Sequence, residues 1–79
     1  MIKEAEKKKI VAVLGYRYVA PVQDMLSELK IVNARGEEHS RSMIINVMNG
    51  YPHEDIEHAI YMALKRKKEI IKARKSLLK

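Results

Sequence analysis

The sequence predicts an all-α fold: a small bundle of four helices that ends in a long basic C-terminal helix. Three observations predict it. Apolar residues recur at helical spacing, as in Val22, Met25, Leu26 and Leu29, the i, i+3, i+4, i+7 pattern of one buried face. Gly15, Pro21, Ser40 and Gly50 stand where helices start and stop. The chain has 79 residues and no Cys, Trp or Phe, so its core is aliphatic and neither a disulfide nor a thiolate-bound zinc can hold it together. A chain this short buries only about 60% of its unfolded surface. Tight helix packing and self-association are the remaining sources of stability.

The first helix is expected over residues 3–14, with Ile10, Val11, Val13 and Leu14 on its apolar side and Lys7, Lys8 and Lys9 on its wet side. Gly15 suits its C-terminal end. Tyr16 to Val19 is either extended or the entry to the next helix. Pro21 fits a first turn, where a missing N–H is harmless. The stretch from Lys30 to His39 is the least regular, with Gly36 at a turn and Ile31 and Val32 pinning its start to the core. Ser40 reads as the N-cap of a short third helix, Arg41 to Asn49, stopped by Gly50. The last helix is expected over residues 54–78, with Glu54, Asp55 and Glu57 in its first turn, where acids favour the helix dipole.

Charge is unevenly placed. Residues 1–64 hold eight Lys/Arg against nine Asp/Glu, whereas residues 65–79 hold eight against Glu69 alone. Such a block reads as the electrostatic footprint of a polyanion partner, nucleic acid before an anionic membrane or an acidic protein, the plainer alternative being a solvated helix face that only aids solubility. On the same helix Ile56, Ala63, Ile70 and Leu77 fall seven apart, as do Leu64, Ile71 and Leu78. The stripe points to a homodimer through Ile70, Ile71, Leu77 and Leu78, although Lys67 and Arg74 interrupt it.

The most informative stretch is SRSMIINVMNGYPHEDIEHAIYMA, residues 40–63. Ile44, Val47 and Met48 share one face of the short helix, and Ser42, Ile45, Asn46 and Asn49 face away with Arg41 near the start. Arg, Asn and Ser are residue types that read base edges in a DNA major groove.

The run S-x-x-x-I-x-x-V-x-N-G (Ser40, Ile44, Val47, Asn49, Gly50), followed by I-x-x-A-I (Ile56, Ala59, Ile60), resembles the recognition-helix segment of helix-turn-helix regulators of the lambda-repressor-like kind. It covers 24 residues, and its positions are mostly hydrophobic. Upstream the pattern departs: Glu38 stands where the turn glycine belongs, Gly36 comes two positions early, and His39 replaces the usual apolar residue. The resemblance implies a helix-turn-helix-like unit and a small DNA-binding transcriptional regulator or accessory factor of phage or mobile-element type. The expected division is a helical DNA-binding domain over residues 1–64 and a basic extension over 65–79. Arg41, Ser42, Asn46 and Asn49 are the expected base readers. Ser40, Tyr51, Lys65, Arg66, Lys68, Lys72 and Lys75 are the expected phosphate contacts. The expected partners are double-stranded DNA and a second copy of the chain.

Two other readings use the same residues: a dimeric helical adaptor whose basic tail meets an acidic protein, and a nonspecific RNA- or DNA-binding protein. Tyr16, Tyr18, Tyr51 and Tyr61 read as half-buried filler, Tyr51 being the best placed to reach a phosphate. His39, His53 and His58 lack metal-ligand spacing and read as surface residues. No nucleophile context, paired acid–base carboxylates or glycine-rich phosphate loop is present, so neither an enzyme, a cofactor nor a small-molecule substrate is expected. No apolar run reaches membrane-span length and no signal-peptide core precedes the first helix, so the expected location is the cytoplasm.

Overall fold

A computed structural model describes residues 1–77. It contains α1 (Glu4–Leu14), α2 (Val19–Glu28), α3 (Arg41–Met48) and α4 (Glu54–Leu77), with no strand among the described residues. The all-α expectation holds, and the ends of α1 and α3 and the starts of α3 and α4 fall within a residue or two of the capping signals. Leu78, expected in a dimer interface, lies outside the described residues.

The core follows the predicted faces. α2 buries Val22, Met25 and Leu26, and α3 buries Ile44, Val47 and Met48. α4 buries Ile56, Ala59, Ile60 and Ala63, again spaced i, i+3, i+4, i+7. Ile2 and Ile10 complete the cluster from the N-terminal side. At about 25 cal/mol per Å² these side chains each contribute about 1.5–3 kcal/mol, Ala less. Two positions expected to be covered are not: Leu29 falls just past the end of α2 and Val32 is 48% exposed, while Ile31 alone packs on the core.

α1 and α4 run side by side in the same direction. The Met1 ammonium pairs with Glu57 at 2.6 Å, and further along the Tyr61 hydroxyl donates to Glu6. α2 packs on α4 and α3, and the Arg66 guanidinium on α4 meets Glu28 near its end. No side chain of α4 beyond Ala63 is fully buried among the described residues. A 24-residue helix spans about 36 Å, so α4 outruns the bundle and stretches the molecule to 48 × 27 × 18 Å.

Two helices end in the same hydrogen-bond pattern on different residues. After α3 the amides of Gly50 and Tyr51 donate to the carbonyls of Val47 and Asn46, and Gly50 takes φ +107°. After α2 the amides of Lys30 and Ile31 donate to Ser27 and Leu26, and the left-handed position, φ +57°, falls to Lys30. That position favours glycine, because a Cβ there crowds the backbone. Between α2 and α3 the Asn33 side chain closes a turn, its Oδ1 accepting from the amides of Arg35 and Glu37 at 2.9 and 3.0 Å.

His39 corrects the surface reading of the histidines, since it is only 8% exposed. It directly precedes the N-cap of α3, where an apolar residue commonly packs inward. Local polarity pointed outward, but the α3–α4 junction covers the ring.

Candidate nucleic-acid interface

α3 is seated by burial and presented by capping. Ile44 and Val47 are 0% exposed and Met48 is 1% exposed. The Ser40 Oγ accepts from the Met43 amide at 3.2 Å, fixing the first turn. Arg41, Ser42, Asn46 and Asn49 are all exposed, as expected for the base-reading set, and α3 carries no carboxylate. Ile45 is half-buried among them.

The four polar residues are not equivalent. Asn49 caps the end of α3, and its Oδ1 accepts a hydrogen bond from the Lys7 ammonium of α1. An asparagine reading adenine needs its carbonyl and its amide together. An amide carbonyl has two lone pairs, so this bond restrains the Asn49 side chain without removing its acceptor. Asn46 makes no side-chain hydrogen bond among the described residues and keeps both functions.

At the other end of α3, Arg41 borders a depression of about 290 Å³ shared with Tyr16, Arg17, Val19, Ala20 and Gln23. Neither Arg17 nor Arg41 is in an ion pair among the described residues, and no carboxylate lines the depression. Beside it, burial pushes the Tyr18 hydroxyl above its ordinary pKa, partly opposed by the Arg41 charge. Arg17, Gln23 and the 92% exposed Tyr16 belong to this surface. Arg17 and Gln23 were not singled out from the sequence because they precede α3 by some twenty residues, and Tyr16, expected to be half-buried filler, is exposed instead. An unassigned basic and aromatic turn at Tyr16-Arg17-Tyr18 was their only local signal.

The N-terminal turn of α2 joins this depression to the basic part of α4. Ala20 lines both the Arg17–Arg41 depression and an apolar groove of about 310 Å³ whose other walls include Leu14, Pro21, Met25 and Ile70, with Arg66 and Lys67 at its edge. Lys65, Arg66, Lys68, Lys72 and Lys75 are exposed along α4, as expected for phosphate contacts. Arg66 is partnered by Glu28, both half in solvent, so it is less available than the lysines. The turn after Leu64 thus still touches the bundle. Ile70 is 40% exposed at the groove, Ile71 is half-buried and Leu77 is 84% exposed.

The tyrosines divide by environment. Tyr51 is half in solvent just past α3. Tyr61 is committed elsewhere: its hydrogen bond to the Glu6 carboxylate, with some burial, pushes its pKa up to about 12. Among the described residues no group of three His, Asp or Glu is placed to hold a metal ion, and no helix is long and apolar enough to cross a membrane.

Comparison of the chain with protein-family models, with curated proteins and with solved structures finds no match.

Proposed function

We propose that this chain binds double-stranded DNA, with α3 in the major groove and the basic half of α4 along the phosphate backbone. The observation that carries the reading is the division of α3. Its apolar side is wholly buried, while Arg41, Ser42 and Asn46 stand exposed together with no carboxylate on the helix. An α-helix with its side chains is about 10–12 Å across, which the roughly 12 Å width of the major groove admits. Arg41 and Asn46 have the donor and acceptor sets for guanine and adenine, Ser42 serves either, and Asn49 is restrained by its bond to Lys7.

Residues 65–79, with eight basic groups against one acid, supply affinity rather than sequence preference. Each phosphate they neutralise adds about 0.9 to the salt slope. Arg17 and Tyr16 extend this contact to the start of α3. A role as a small transcriptional regulator follows from the resemblance of residues 40–63. A homodimer through Ile70, Ile71 and Leu77 would supply a second half-site. The exposure of Ile70 and Leu77 on a protruding helix favours that assembly.

Selection from random-sequence duplexes, followed by mobility shift against unrelated duplex, tests the reading. The expected result is an enriched site that survives excess unrelated DNA. Equal binding to all duplexes and to RNA would favour a nonspecific coat protein. No binding to any duplex, with capture by an acidic protein, would leave the adaptor reading in its place.

A further inference from the structure

We propose that His39 is a proton-sensitive seat for α3: the neutral ring holds the start of α3 against α4, and a proton on that ring releases the junction. His39 is 8% exposed, although the segment around it, from Ala34 to Glu38, is exposed throughout. Its Nε2 is buried with no hydrogen-bond partner. Its ring stands edge-on to His53, centroids 5.0 Å apart at 84°. His53 in turn caps α4, its Nδ1 accepting from the Ile56 amide at 3.3 Å and its own amide donating to Glu57 at 3.1 Å. Glu57 is held by the Met1 ammonium. The entry of α3 is therefore tied through one imidazole pair to the first turn of α4.

A protonated imidazole must donate from both nitrogens. Here the buried Nε2 has no acceptor, and an unpaired buried cation is strongly disfavoured. The charged and titratable groups around the ring are His53 and Asp55 from the start of α4, and Glu37 and Glu38 from the preceding loop. Those carboxylates line the same depression of about 430 Å³ as His39, and from the α3 side Ser40 and Met43 line it without charge. Burial is the largest influence and lowers the His39 pKa. His53 lowers it further, and Asp55 opposes both.

The direction of the pH effect follows. Free histidine titrates near 6.5. Above that value His39 is neutral whether the chain is folded or unfolded, and its burial contributes fully. As pH falls from 6.5 toward the lower folded-state value, the unfolded chain takes up a proton that the folded chain refuses. The ratio of folded to unfolded protein then drops by up to tenfold per pH unit for this one site.

The experiment compares thermal unfolding of the full chain at pH 7.5 and 5.0 for the wild type, His39→Leu and His39→Gln. Ring titration of the wild-type histidines by NMR accompanies it. Each tenfold loss should lower the wild-type Tm by about 5–10 °C at this chain length. Both variants should show a pH dependence smaller by up to one proton, and the His39 ring should titrate below 6.5. Wild-type pH dependence retained in either variant, or a His39 ring titrating at or above 6.5, overturns the proposal. If His39→Leu does not fold, His39→Gln and the wild-type titration decide. These measurements read folding alone, so their failure and a failure of the DNA reading are separate results.

Discussion

α3 and the C-terminal half of α4 both turn polar side chains to solvent, yet they are held in different ways. α3 has eight residues, three of them almost wholly buried, and caps at both ends. α4 from Lys65 to Leu77 has thirteen residues, none fully buried, and is anchored by Arg66 to Glu28 and by the apolar groove at Ile70. Burial seats α3 on the bundle and gives each of its exposed polar groups a defined position. Beyond Ile70 the α4 extension outruns the packed part of the bundle, and under the proposed reading the number of its charges matters more than their placement.

Attacking the seat of α3 should give the largest effect. Val47→Asp places an unpaired carboxylate at a position with no exposure. Total stability is on the order of 4–12 kcal/mol at roughly 0.05–0.15 per residue. A penalty of about 4 kcal/mol or more takes between a third and all of that, so the chain should melt at least about 15 °C below the wild type by circular dichroism. A chain that melts like the wild type would show that α3 is not seated by its apolar face.

Two truncations should separate packing from charge on α4. Ending the chain after Ile71 spares Arg66 and Ile70 and removes four basic groups and no acid. Folding should persist, and the salt slope of DNA binding should fall by up to about 3–4. Ending it after Leu64 also removes the Glu28 partner and one wall of the groove, so Tm should drop as well. An unchanged salt slope after either cut would show that α4 does not hold phosphates.

Single substitutions sharpen the comparison. Asn46→Ala should cost about 1–3 kcal/mol on a selected site and little on random duplex. Lys68→Ala and Arg17→Ala should weaken both alike and lower the salt slope by roughly one each. Equal losses for Asn46→Ala on both duplexes would demote α3 to a structural helix.

The smallest effect concerns the backbone. Lys30→Gly relieves a left-handed residue at φ +57° and should raise stability by about 0.5–1 kcal/mol in denaturant unfolding, net of the greater freedom of glycine in the unfolded chain. A loss of stability would mean that the Lys30 side chain contributes more than its strain takes away.

What the sequence determined by itself was local. The buried faces of α2, α3 and α4 repeat at helical period, and Ser40, Gly50 and the acids at 54–57 mark ends through chemistry that acts within a few residues. The all-α fold and most of the core were legible for that reason. The exposed polar side of α3 was legible too, because burying Ile44, Val47 and Met48 leaves Arg41, Ser42 and Asn46 outside. Tertiary structure alone decided which distant groups meet. Arg17 lies beside Arg41, Lys7 donates to the carbonyl of Asn49, and Arg66 pairs with Glu28. The same is true where local chemistry pointed the other way. His39 is polar yet buried under the α3–α4 junction, and Lys30 takes a glycine's conformation because Ile31 must turn back onto the core. The physical reason is range: caps and periodicity act over one or two turns of helix, whereas burial, ion pairing and desolvation depend on which elements pack against each other.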